Sequence, residues 1–189
     1  MFGFDPAIQA YPYDPEKAKK LLAEAGFPSG FETEFDTGSG RYLMDKQIAE
    51  AVVGMLAKVG VKVKLNVLEW GKYTDVRRAH TVAPLYLLGW AQTIYDADGT
   101  LGPLFCIDCT HSNYHNPELV KMMDEARNEM NADKRKALYR QILMLIKDEA
   151  PWIFLYQQVD HYGVRKRIGN FNKLAGSELM YFDTLKITE

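Results

Sequence analysis

Long apolar runs are missing from this chain. No segment approaches the roughly 18 consecutive apolar residues that a membrane-spanning helix needs, although 47% of the 189 residues are hydrophobic. The apolar side chains must therefore build a core, and the length allows one sizeable one. Excess charge of one sign is missing too. The 23 lysines and arginines nearly balance the 25 acids without a block of either, which excludes the electrostatic footprint of a nucleic-acid binder or a membrane-surface patch. Phe2 to Tyr13 lacks the basic head and apolar centre of a secretory signal, an absence that means little if the chain is a piece of a longer one. There is no internal repeat and no low-complexity segment. Cysteine is nearly absent: Cys106 and Cys109 are the two in the chain.

What is present begins with an alternation of helix and strand signals. Asp14, Pro15 and Glu16 read as an N-cap, a proline at the first helical position and an acid in the first turn. Ala18, Leu21, Leu22 and Ala25 give that helix one apolar stripe, and Gly26 ends it. Phe31, Thr33 and Phe35 alternate with Glu32, Glu34 and Asp36 as in a half-exposed strand. Ile48, Val52, Met55, Leu56 and Val59 recur at helical spacing, and Val61, Val63, Leu65 and Val67 then alternate with Lys62, Lys64 and Asn66. An amphipathic helix between two strands predicts a parallel pair with a right-handed crossover. As neighbours, the strands would set the acidic outer face of the first beside the lysines of the second.

A short helix over 71–79 leads to Leu85, Tyr86, Leu87, Leu88 and Trp90, an apolar run that predicts a strand buried on both faces and parallel to the others. The run breaks at Ala91 into Gln92, Thr93, Tyr95, Asp96 and Asp98, then Gly99 and Gly102. Three loops, 37–42, 69–73 and 91–99, would then share the rim at the carboxyl ends of three parallel strands. That is where an α/β domain holds a ligand. The rim would carry Arg41, Tyr42, Trp70, Trp90, Thr93, Asp96 and Asp98. Trp90, where the strand leaves the sheet after a glycine, suits an aromatic wall. Arg41 suits a carboxylate clamp because its planar fork takes both oxygens at once.

The second half is mostly helical. Asn116 caps a helix from Pro117 with a stripe of Leu119, Met122, Met123, Ala126 and Met130, and Asp133 caps another with Leu138, Ile142, Leu145 and Ile146. The methionines are expected as core filler. Pro151 closes the second helix, Trp152 to Tyr156 predicts a buried strand starting on a core tryptophan, and Val159 to Val164 predicts a strand pairing back. Beyond Asn170, residues such as Phe171, Leu179, Met180 and Phe182 are too apolar for a free tail. Something must cover them.

Asp96 and Asp98 do not suit general acid–base work, since carboxylates two apart in a loop are not held at a defined separation; no enzymatic activity is expected. As a calcium loop they lack an acid at Ile94 and the closing glutamate at Phe105. Cys106, Cys109, His111 and His115 are the ligand types zinc prefers, but Thr110 alone separates Cys109 from His111, which crowds a tetrahedron. A redox pair would want its first cysteine at a helix N-terminus, and the residues after Cys106 do not read as helix. A local disulfide in an oxidising compartment is favoured over free thiols. A zinc-binding or redox module on those four residues stands as the alternative. No metal or other cofactor is assigned.

Six segments, in order, carry a resemblance: YDPEKAKKLLAEAGF from Tyr13, GSGRY from Gly38, LEWGKY from Leu68, LGW followed by DADGTLGPLF from Leu88 to Phe105, YHNPELVKMMDEA from Tyr114, and LYRQILMLIKDEAPWIFLY from Leu138. The chain resembles the carboxyl-terminal lobe of the extracellular solute-binding proteins that serve peptide, dipeptide, glutathione and nickel ABC importers. The resemblance implies an α/β, periplasmic-binding-protein-like lobe, with a mainly parallel or mixed sheet flanked by helices. Residues 1–170 would form the lobe and 171–189 a tail packed on a first lobe absent from this chain. It implies a small peptide or other polar solute held between two lobes, a membrane permease as partner, and a periplasmic or extracellular place, with the full-length protein free or anchored to the membrane as a lipoprotein. Trp90 is similar to a tryptophan that lines the family's cavity. Where peptide-binding relatives carry an aspartate for the ligand's amino terminus, this chain has Thr93, so the loop looks more like that of the glutathione-type members.

Overall fold

The computed structural model describes residues 1–91, 94–159, 161–169, 171 and 185–187. The sheet is built around β1 (Glu32–Ser39), with β2 (Lys62–Glu69) on one side and β3 (Leu85–Tyr86) on the other, both parallel to it. The crossover between β1 and β2 is α2 (Asp45–Ala57), and between β2 and β3 the chain passes through α3 (Trp70–Arg78). Glu32 faces Lys62 and Glu34 faces Lys64 across the pair, with Nζ to Oε1 distances of 3.3 and 3.1 Å. These pairs are largely exposed, so water screens them and they set register more than they stabilise.

Two strands depart from the pattern read in the sequence. Asp36, expected on the outer face of β1, is buried together with Phe35 and Thr37, because the central strand is covered from both sides. Its carboxylate is satisfied by the Ala83 N–H at 2.8 Å and Asn66 Nδ2 at 2.9 Å. The run from Leu85 is not a strand buried on both faces. β3 pairs through two residues on one side, and Gly89 and Trp90 are exposed. After Leu87 N–H donates to the Asp36 carbonyl at 3.1 Å, hydroxyls replace a partner strand: Tyr73 donates to the Leu87 carbonyl and Tyr42 to that of Gly89, the latter at 3.2 Å.

The core lies in the second half, where Leu101, Leu104 and Phe105 of α4 (Asp98–Phe105) meet Leu119, Met123 and Ala126 of α5 (Pro117–Asn128) and Tyr139, Ile142 and Ile146 of α6 (Ala132–Glu149). Asn116 caps α5 as expected, its side chain accepting from Leu119 N–H. The cap of α6 is Asn131 rather than Asp133, whose own N–H donates to the Asn131 side chain. Met123 is buried and Met122 packs beside the core, but Met130 is 94% exposed because α5 has already ended. Helix α1 (Pro15–Glu24) carries its Asp14 cap, yet none of its residues is buried.

The strands expected after Pro151 do not form. Ile153, Phe154, Leu155 and Tyr156 are exposed and belong to no strand, and the same holds of Val159, Tyr162 and Val164. Trp152 is half-buried, its ring 5.8 Å from Phe105 and 6.4 Å from Tyr86, so it ties the helical core to the sheet. A short antiparallel pair joins β4 (Ile168–Gly169) to β5 (Lys186–Ile187). Residues 170 and 172–184, most of the expected tail, lie outside the described residues.

Candidate functional site

The loops leaving β1 and β2 and the chain leaving β3 meet at one rim, as parallel strands require. Asp45, at the start of α2, fixes the first loop by accepting from the N–H groups of Arg41 and Tyr42 at 3.1 and 3.3 Å, and from Lys46 at 2.8 Å. Burial would raise its carboxyl, but those backbone donors outweigh burial and hold it below the usual carboxylate range. The Tyr42 ring stands edge-on to Trp70 at 5.7 Å, and Trp70 lies 5.6 Å from Tyr73. The Arg41 guanidinium sits 5.5 Å from the Tyr42 ring centre and 5.9 Å from that of Trp70. Two glycines permit this approach: a Cβ on Gly38 would meet Trp70 Cε3 at 2.8 Å, and one on Gly89 would meet Tyr42 Cε1 at 2.7 Å.

Trp90 continues the aromatic surface from the third strand. Its Nε1–H donates to the Gly99 carbonyl at 3.1 Å and its ring packs on His111 at 5.2 Å, while 38% of the residue stays exposed. Arg41, Tyr42, Trp70 and Trp90 are thus brought together by the fold. Thr93 lies outside the described residues.

Asp96 and Asp98 turn toward the helices instead. Arg135 grips Asp96 with both ends of its fork, Nη1 to Oδ2 at 2.7 Å and Nη2 to Oδ1 at 2.9 Å, and the Tyr139 hydroxyl donates to Oδ1 at 3.2 Å. Burial works against the Asp96 carboxylate, but these partners hold its pKa low, while burial beside Asp96 pushes the Tyr139 hydroxyl up to about 12. Asp98 opens α4 and pairs with Arg127 at 2.9 Å. The N-terminal segment joins this latch, with Phe2 N–H donating to the Tyr95 carbonyl at 2.9 Å and Ala97 N–H to that of Phe2 at 3.0 Å.

Cys106 and Cys109 are joined as a disulfide. Sulfurs so bonded present no thiolates, and among the described residues no group of three or more His, Cys, Asp or Glu side chains could hold a metal ion. His111 turns to Trp90 and Arg77 instead. Arg77 is the rim residue that sequence reasoning missed, 6% exposed and packed on Tyr73 at 5.2 Å and Trp70 at 6.0 Å. The spacing of Trp70, Tyr73 and Arg77 on one face of α3 was the available signal.

The pattern of the bacterial extracellular solute-binding proteins, family 5 (middle part), matches residues 1–109. The chain belongs to this family. It is 33% identical to the heme-binding protein A of Haemophilus influenzae over 90% of this chain and 32% of that protein. It is 30% identical to the dipeptide-binding protein of Escherichia coli over 90% of this chain and 33% of that one. It also superposes on an ABC transporter-associated periplasmic binding protein of Helicobacter pylori in complex with the peptide STSA, with a TM-score of 0.70 and 31% identity over 79% of this chain and 30% of that one. The chain therefore spans about a third of the length of the curated relatives it matches.

Proposed function

We propose that this chain is the carboxyl-terminal lobe of the substrate-binding component of an ABC importer, and that it traps a peptide-like or other small polar solute against a first lobe. The observation that carries this reading is the meeting of Arg41, Tyr42, Trp70 and Trp90 on one rim from three separate loops. Trp90 and Trp70 serve as aromatic walls and Arg41 as a clamp for a solute carboxylate. Closure is a hinge motion in which each lobe supplies part of the contacts. The exposed apolar chain over 153–156 and the tail over 171–189 pack on that first lobe. A permease in the membrane is the downstream partner, and the place of action is periplasmic or extracellular. The family is one of solute carriers, and Asp96 and Asp98, engaged by Arg135 and Arg127, are not available as an acid–base pair.

Calorimetry with dipeptides tests this reading. The protein extended by its first lobe should bind, the Trp90→Ala form should lose most of that affinity, and this chain alone should bind feebly because half of the enclosing surface is gone. Micromolar binding to the chain alone, or unchanged binding after Trp90→Ala, would refute it.

A further inference from the structure

Among the described residues, Arg77 Nε is a buried side-chain polar atom without a hydrogen-bond partner. The residue is 94% removed from solvent on α3, yet no carboxylate pairs with its guanidinium among the described residues. What surrounds it are the rings of Tyr73 at 5.2 Å and Trp70 at 6.0 Å, and His111 Nδ1, 3.4 Å from Nη1. Aromatic faces offset part of the cost of burying a cation. A 3.4 Å contact to an imidazole is at the weak end of hydrogen bonding. Burial, together with Arg77 and Arg78, depresses the His111 pKa, and an imidazole, neutral or protonated, supplies no counter-charge to a guanidinium. A buried cation normally has an anion beside it, and here the neighbours lead to the two tryptophan walls: the Arg77 guanidinium lies over the Trp70 ring at 6.0 Å, and the histidine that touches it meets Trp90 edge-on at 5.2 Å.

We propose that Arg77 forms the floor of an anion subsite behind Trp70 and Trp90, which takes a carboxylate of the bound solute additional to the one Arg41 holds at the rim. This rests on the reading that both tryptophans face the solute. The substrate class it names is a small solute with two acidic groups. Anion entry replaces the long Arg77–His111 contact with a charge-assisted pair across the guanidinium fork.

The test uses the ¹⁵N-labelled protein extended by its first lobe and succinate as probe, with sodium chloride at matched ionic strength as control. The Arg77 Nε–Hε signal, assigned by its loss in Arg77→Lys, should shift saturably with succinate and not with chloride. Arg77→Lys keeps the charge and the ring stacking but loses the fork, and should weaken succinate binding, followed by tryptophan fluorescence, by about tenfold. A silent Arg77 signal, an equal response to chloride, or unchanged succinate affinity in Arg77→Lys overturns the subsite; the counter-charge would then come from chain outside these residues. Dipeptide binding with Arg77 silent leaves the proposed function standing without this subsite. Succinate at Arg77 in a protein that binds no dipeptide does the reverse.

Discussion

Asp96→Asn is the substitution that best separates a structural carboxylate from a ligand-binding one. In the folded chain Asp96 accepts two hydrogen bonds from Arg135 and one from Tyr139, with the paired side chains 22% and 21% exposed. Asparagine keeps the shape but removes the charge, and leaves the Arg135 guanidinium partly buried without its counter-ion. Hydrogen bonds to charged groups contribute about 1.5–3 kcal/mol each, and loss of a partner in a fully buried pair costs about 3–5 kcal/mol. The remaining solvent access lowers that, so the expected loss is about 2 kcal/mol, a fall in Tm of roughly 4–8 °C for a chain of this size. Thermal unfolding followed by circular dichroism reads it, and a double-mutant cycle with Arg135→Met should return a coupling of at least about 1 kcal/mol. The sign with pH follows from the depressed Asp96 pKa. Its contribution is fully present above the unfolded value and lost as pH falls through the folded one, so wild type and Asp96→Asn should begin to converge only below about pH 4 and meet beneath the depressed folded value. A variant within about 0.5 kcal/mol of wild type, as at ordinary surface sites, with no coupling to Arg135, would refute the latch.

Gly89→Ala should open the rim, because the new methyl meets Tyr42 Cε1 at 2.7 Å and pushes a ring that already stands edge-on to Trp70 at 5.7 Å; a stability loss of about 1–3 kcal/mol is expected, with altered tryptophan fluorescence, and an unperturbed spectrum would contradict the packing described. Replacing both Cys106 and Cys109 by serine removes a very short loop closure worth no more than about 2 kcal/mol, and should loosen His111 beneath Trp90 without unfolding the chain. Global unfolding of that variant in a denaturant titration would show that the bridge holds more than its own loop.

Much of the scaffold was legible in the sequence because it depends on local pattern. Asp14 and Asn116 sit where a side-chain oxygen can cap a helix, and both do. The Glu and Lys alternation of 32–34 and 62–64, separated by an amphipathic helix, leads to a parallel pair in that register. With β3 parallel to β1 as well, the meeting of the 37–42 and 69–73 loops and the chain leaving β3 at one edge follows, while Asp96 and Asp98 of the expected 91–99 loop turn to the helices. The Asn131 cap was missed because Asn131 and Asp133 are both good caps, and the backbone selects which carbonyl and N–H groups face them.

Sequence by itself carried the family through six motifs in register, and the order of strands and helices as far as β3 together with the loops that share the rim through periodicity and chain direction. Tertiary structure decided where each rim side chain points. Asp96 and Asp98 look free in a polar loop, yet arginines 39 and 29 residues away along the chain claim them. Arg77 looks like one more surface arginine, yet α3 turns it inward beneath Trp70. The exposed run over 153–156 reads as a buried strand in any local window. A charge or an apolar side chain is settled by whatever lies opposite it in space, and that partner is set by packing between distant segments, which no local pattern encodes.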